Sequence, residues 1–465
     1  MDLQNKVQAY LQKIGAYQHF NAFLDVYAEE ALERAYYIEE KIKGGERTGK
    51  LAGLVFAIKD NISIKNKRLT CASKILSNFI SLYHSTVVER IFDEDGLIIG
   101  KTNMDEFAMG SSNENSAFGI VKNPYDEARV PGGSSGGSAV AVALKMCDVA
   151  LGTDTGGSIR QPSAFCGNFG LKPTYGRVSR FGLVAFASSF DCIGPIANDT
   201  MAIAKVMEVI SGYDEKDSTS SPRPVPEYSK LLEFENHKIK FGLPVEFFNE
   251  GVEKEIIDSI YDCVEFLRQN GFEVVEISLP YIKYSIADYY ILTTAEASSN
   301  LSRYDGVKYT IRSNTAKTIH DIYTKTRDEY FEKEVKRRIM LGTFVLSAGY
   351  YDAYYLKAQR VRRLIQNDFL EAFNSVDIIL SPTTPTTAFK IGEKLDNPLS
   401  MYLSDIFTTS ANLAGIPAMN VPIGFDSNGL PIGLQIMANH FREDLLLQVS
   451  YFLEKNYMSN KIIRE

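Results

Sequence analysis

Between Gly132 and Ser158 the chain packs seven glycines and six serines or threonines around two short apolar runs, Ala139–Leu144 and Val149–Leu151. That spacing leaves room only for short buried elements joined by tight turns, and such turns on a rigid scaffold are where binding and catalytic groups gather. The flanking sequence has the alternation of an α/β fold. Leu54–Lys59 reads as a buried strand, Thr86–Glu94 as a helix, Leu97–Gly100 as a second strand and Met104 onward as a further helix start. Ile239–Leu243, a helix carrying Ile256, Ile260, Val264 and Leu267 closed by Asn270-Gly271, and Phe272–Leu279 make a β-α-β unit, which implies a parallel or mixed sheet. Leu3, Val7, Leu11 and Ile14 recur at helical spacing and Ala22–Lys43 is rich in helix formers, so residues 1–45 are expected to be an N-terminal helical segment. The one linker-like stretch, Tyr213–Tyr228, is short enough to be a surface loop, and residues 46–465 read as one domain.

Composition narrows the partners. A chain of 465 residues, 45% hydrophobic, can bury a large core, and its net charge of -8 argues against gripping nucleic acid by its own field. Any RNA partner is therefore expected to be held mainly elsewhere. The five cysteines are scattered without a C-x-x-C pair, so no metal site is expected and a reduced, cytoplasmic setting fits. No apolar run approaches the roughly 20 residues that cross a bilayer, and the N-terminus lacks a leader pattern, so a soluble protein is expected.

Two turns carry the chemistry: Gly132-Gly-Ser-Ser-Gly-Gly-Ser138 and Gly152-Thr-Asp-Thr-Gly-Gly-Ser-Ile-Arg160. Neither has the spacing of a phosphate-binding loop, and no lysine follows the glycines where a phosphate would need one. Together they resemble the signature of the amidase signature family. Ser134 and Ser158 stand 24 residues apart, and Lys59, in Phe56-Ala-Ile-Lys-Asp-Asn61, lies 99 residues before Ser158, as that family's pattern requires. The resemblance implies a large mixed central sheet covered by helices on both faces, with a helix-rich insertion within about 213–340. It also implies a Ser-cisSer-Lys triad: Ser158 as nucleophile, Ser134 as bridging serine on a cis peptide bond from Gly133, and Lys59 as base. The physics agrees. A serine hydroxyl needs a base within hydrogen-bond reach, and burial can pull a lysine from about 10.4 towards neutrality. Backbone N–H groups of Thr155, Gly156 and Gly157 would hold the oxyanion.

Further segments, among them Asn103–Ser111, Lys172–Leu183, Glu296–Gly306, Arg337–Gly342 and Tyr350–Tyr355, are similar to the glutamine-hydrolysing subunits of tRNA-dependent amidotransferases within that family. That resemblance implies a heterotrimer with two other subunits, of B and C type. Glutamine would supply ammonia for converting glutamyl-tRNA(Gln) to glutaminyl-tRNA(Gln), the tRNA being bound mainly through the partner, where ATP and magnesium are used; no cofactor is expected in this chain. Arg338 would bind the α-carboxylate of glutamine and Asp405 its α-ammonium, with Tyr289 nearby, and a guanidinium forks onto a carboxylate. Against this, Lys325–Arg363 holds ten lysines or arginines, mostly expected on a solvated helix face. A stand-alone amidase acting on small carboxamides is the alternative reading. Cys192, in Phe190-Asp-Cys-Ile-Gly-Pro195, departs from the polar residue expected there.

Overall fold

A computed structural model describes residues 2–233, 239–248 and 251–458. Its spine is a sheet of β1 (Phe23–Val26), β2 (Val55–Lys59), β3 (Leu97–Thr102), β4 (Val149–Asp154), β5 (Phe169–Lys172), β6 (Cys192–Ala197), β7 (Lys240–Pro244), β8 (Glu273–Ile277), β9 (Ile378–Pro382), β10 (Ala418–Phe425) and β11 (Pro431–Ala438). The order across the 11-stranded sheet is β1-β3-β2-β4-β6-β5-β10-β11-β9-β7-β8. The β3-β2-β4 and β9-β7-β8 groups pair in parallel, and the strands between them are antiparallel. The sheet is therefore mixed, as the β-α-β unit implied.

Both faces are buried. Along β2, Val55 and Ala57 join one apolar cluster while Phe56 and Ile58 join the other; in β4, Ala150 joins the first and Val149 and Leu151 the second. Side chains alternate across a strand, so a strand apolar at every position needs cover on both sides. Helices Leu3–Ala16, Ala28–Lys43 and Gly136–Ala143 cover one face; Thr86–Asp93, Thr200–Ile210, Lys254–Gln269 and Glu443–Asn456 cover the other. A third cluster gathers helices Ser285–Asn300, Lys333–Val345 and Lys357–Ala372, three helices that follow β8. Of the insertion expected within about 213–340, residues 234–238 and 249–250 lie outside the described residues.

Two local expectations differ from the structure. Between the first two helices the chain runs as β1, antiparallel to β3, so the N-terminal stretch supplies an edge strand as well as helices. After Met104 there is one short turn of helix, Glu106–Ala108, and no more. Phe107 and Ala108 adopt positive φ (51° and 61°), which a continuing helix of L-residues excludes, and Asp105 and Glu106 are buried where they take hydrogen bonds from neighbouring loops.

Candidate active site

The parallel register sets the site. β2 ends at Lys59 and its parallel neighbour β4 ends at Asp154, so both strands end on the same side of the sheet. Lys59 is fully buried. Its Nζ lies 2.8 Å from Ser134 Oγ, 2.7 Å from Ser135 Oγ and 3.4 Å from the Thr153 carbonyl. Burial pulls the amine down to about 7, against the opposing fields of Asp105, Asp154 and Asp191. The Gly133–Ser134 peptide bond is cis. That turn is gripped from two sides: Gly133 donates its N–H to Gln161 Oε1 at 2.8 Å, and a Cβ on Gly133 would run into Asp105 Oδ2.

The second turn is built around a buried carboxylate. Asp154 accepts the N–H groups of Gly157 (2.9 Å) and Ile159 (3.1 Å), Arg160 Nη2 (3.0 Å) and Nε (3.1 Å), and Asn412 Nδ2 (2.9 Å). Burial works against its charge, but Arg160, itself wholly buried, holds Asp154 at about 2. These bonds fold Asp154–Ile159 into a tight loop that leaves Ser158 half-buried while its neighbours are enclosed. The two turns are tied together where Ser135 N–H donates to the Ser158 carbonyl at 3.2 Å. Among the described residues no hydrogen bond joins Ser134 Oγ directly to Ser158 Oγ.

The three oxyanion candidates separate. Gly157 N–H is already donated to Asp154, so it is committed to the loop. The amides of Thr155 and Gly156 have no hydrogen bond among the described residues and are the pair left for a ligand oxygen. Gly156 also packs against Tyr289, for a Cβ there would lie 2.5 Å from the phenol Cζ and 2.6 Å from its oxygen.

Arg338 is only 3% exposed and so is no part of a solvated face. Its Nε donates to Glu334 Oε1 at 2.8 Å, and the guanidinium stands over the rings of Tyr290 (5.2 Å), Phe186 (5.6 Å) and Tyr402 (5.6 Å). Its two Nη atoms have no hydrogen bond among the described residues, which leaves a fork free for a carboxylate. Gly342 lets this helix press against the Thr294 carbonyl on the helix bearing Tyr289, fixing the two side chains relative to each other. Asp405 is buried, with Ser111 Oγ donating to its Oδ2. Burial raises its carboxyl to about 7, opposed by the Ser111 bond and by Arg338. Gln161 links Ser111, and through it Asp405, back to the Gly132–Ser138 turn, donating from Nε2 to the Ser111 carbonyl at 2.8 Å.

The structure thus joins Lys59, Ser134, Ser158, Thr155, Gly156, Gly157, Tyr289, Arg338 and Asp405 in one network. Sequence reading missed Ser135, Asp154, Asp105 and Gln161. For Asp154 a signal existed, since an aspartate before Thr-Gly-Gly is a common acceptor for the amides of a tight turn.

A chemistry of this kind has known relatives. A sequence model of the family Amidase matches residues 5–447. The chain belongs to the Amidase family. This amidase is 54% identical over 448 residues to the A subunit of glutamyl-tRNA(Gln) amidotransferase from Prosthecochloris aestuarii, covering 96% of this chain and 94% of that one. It is 56% identical over 422 residues to the corresponding A subunit from Persephonella marina, covering 91% and 87%. The crystal structure of the A subunit of glutamyl-tRNA(Gln) amidotransferase from Thermotoga maritima matches all of the amidase and 93% of its own chain, at 42% identity and a TM-score of 0.82. The peptide amidase from Stenotrophomonas maltophilia also matches all of it and 95% of its own chain, at 28% identity and a TM-score of 0.83.

Proposed function

We propose that this chain is the glutamine-hydrolysing subunit of a glutamyl-tRNA(Gln) amidotransferase. The observation that carries this reading is the pairing of a buried Lys59–Ser134 couple with a buried Arg338, its fork unfilled, in an amidase more than half identical to A subunits of that enzyme.

Neutral Lys59 takes the hydroxyl proton of Ser134 as Ser134 takes that of Ser158, and Ser158 Oγ attacks the side-chain amide carbon of glutamine. The carbonyl oxygen becomes an oxyanion facing the amides of Thr155 and Gly156. Collapse breaks the C–N bond, the proton returns through Ser134 to the departing nitrogen, and ammonia leaves a γ-glutamyl ester on Ser158. Water, deprotonated by the same relay, releases glutamate and restores the serine. Arg338 takes the α-carboxylate, Asp405 the α-ammonium, and Tyr289 closes the wall beside Gly156.

Two further subunits of B and C type complete a cytoplasmic heterotrimer, and ATP and magnesium act at the partner that binds the tRNA. Among the described residues no helix is long and apolar enough to cross a membrane. The test is a reconstituted complex carrying Ser158→Ala. It should fail to amidate glutamyl-tRNA(Gln) with glutamine and succeed with ammonium salts, because the amide-forming site is untouched. Inactivity with ammonium in a complex that assembles normally would refute the two-site scheme.

A further inference from the structure

Arg338 and Asp405 sit on separate pieces of chain, the helix Lys333–Val345 and the short turn Leu403–Asp405 that follows the helix Pro398–Tyr402. A free amino acid presents its carboxylate and ammonium at a fixed separation, so reading both charges demands that these two pieces be held at a fixed spacing before substrate arrives. A shared carboxylate and an aromatic ring span them. Glu334 Oε1 accepts both Arg338 Nε at 2.8 Å and the hydroxyl of Tyr402 at 3.1 Å, and Tyr402 stands three residues before Asp405. The Tyr402 ring also stacks on Tyr290, with centroids 3.8 Å apart and planes 24° apart, while Tyr290 and Tyr402 both face the Arg338 guanidinium. The side chain of Glu334 is 10% exposed, so these bonds are made largely out of water, where they orient strongly.

Resting on the glutaminase reading above, we propose that Glu334 and Tyr402 are positioning residues that lock the Arg338 half of the substrate clamp to its Asp405 half and so confer selectivity for an α-amino acid over an amide with a carboxylate alone. Neither residue need touch the substrate. Glu334 is the shared acceptor, Tyr402 the arm that ties the Asp405 segment to it, and Tyr290 the platform that keeps the arm in plane. Losing the Tyr402 hydroxyl unties the Asp405 segment from Glu334 without emptying the aromatic box, leaving Asp405 held by Ser111 and the stacked ring. The carboxylate contact then survives while the ammonium contact loosens.

Tyr402→Phe keeps the stacked ring and removes only the bond to Glu334. In the assembled complex, steady-state glutaminase kinetics should be compared for glutamine and for 4-carbamoylbutanoate, which is glutamine without its α-amino group. Wild type should prefer glutamine. Tyr402→Phe should raise KM for glutamine roughly tenfold, the scale of one lost hydrogen bond to a charged group, with kcat little changed and KM for 4-carbamoylbutanoate nearly constant. Glu334→Gln should shift the same ratio in the same direction. A Tyr402→Phe enzyme with wild-type preference, or one that loses both substrates equally, overturns the lock while leaving the glutaminase reading intact. A wild-type enzyme indifferent to the α-amino group overturns the roles of Arg338 and Asp405, and the lock with them.

Discussion

Removing the Ser135 hydroxyl tests whether the protonation of Lys59 governs catalysis. Nζ meets three acceptors, at 2.8 Å on Ser134, 2.7 Å on Ser135 and 3.4 Å on the Thr153 carbonyl. A protonated amine donates to all three; a neutral one donates to two and offers its lone pair to the Ser134 hydroxyl. Ser135 supports both forms, but a charge-assisted bond is about twice as strong as a neutral one, a difference of about 1 kcal/mol. Ser135→Ala therefore weakens the charged form more and lowers Lys59 further below its value of about 7. At about 1.4 kcal/mol per unit the drop is roughly 0.7 units. On the proposed mechanism the neutral amine is the active form, so the rate falls as pH drops through this pKa, and the variant should keep its activity to lower pH. The assay is kcat for ammonia release from glutamine by the assembled complex between about pH 5.5 and 9, where bell-shaped profiles report such groups. The wild-type acid limb should centre near 7 and the variant's should lie below it, with a lower plateau because the amine has lost an orienting contact. An acid limb that stays put or moves up in a folded variant would refute the argument that Lys59 sets it.

Lys59→Arg should abolish glutaminase activity as completely as Lys59→Ala, at least a thousandfold, because a guanidinium has no accessible neutral form; near-normal rates in Lys59→Arg would exclude the lysine base. Arg338→Ala should raise KM for glutamine by roughly a hundredfold, as expected for a buried charge pair worth about 3 kcal/mol, while a neutral carboxamide is spared; equal losses would make Arg338 structural. Asp154→Ala leaves the wholly buried Arg160 unpaired and should lower unfolding free energy by about 3 to 5 kcal/mol, read as a fall in denaturant midpoint. An unchanged midpoint would mean that Gln435, Asn412 and the Thr408 carbonyl, which also receive Arg160, suffice for it.

How legible this was from the sequence depended on the range of the interactions involved. Ser134 and Ser158 stood out because each sits in a short glycine-rich turn, Lys59 because the resemblance places a lysine 99 residues before Ser158, and β2, the Val149–Leu151 run of β4 and the β7–β8 unit because apolar patterning is local too. β1 was hidden: four residues with three half-buried positions carry no strand signal of their own, and only pairing with β3 makes them one. The β10–β11 hairpin was not read although Asn428-Gly429 marks its turn. The resemblance singled out Arg338 among the basic residues between 325 and 363, but composition and spacing could not, because its burial is set by Phe186, Tyr290 and Tyr402 from three other parts of the chain. Arg160 likewise takes its place from Asn412 and Gln435, more than 250 positions away, whereas most of the bonds to Asp154 are local.

Lys59, Ser134 and Ser158 all precede the Tyr213–Tyr228 stretch, whereas Tyr289, Arg338 and Asp405 all follow it. On the proposed mechanism, bond-breaking and substrate choice are thus inherited on different lengths of the gene. Changes after residue 228 can redirect the enzyme to another amide so long as Thr408, Asn412 and Gln435, which hold the Ser158 turn, are kept, and a change before residue 213 that damages the relay cannot be repaired by any adjustment downstream. Divergence among relatives should therefore be lopsided, with the early stretch held still while the later one explores, and a newly met relative's preferred amide is to be sought in the later stretch.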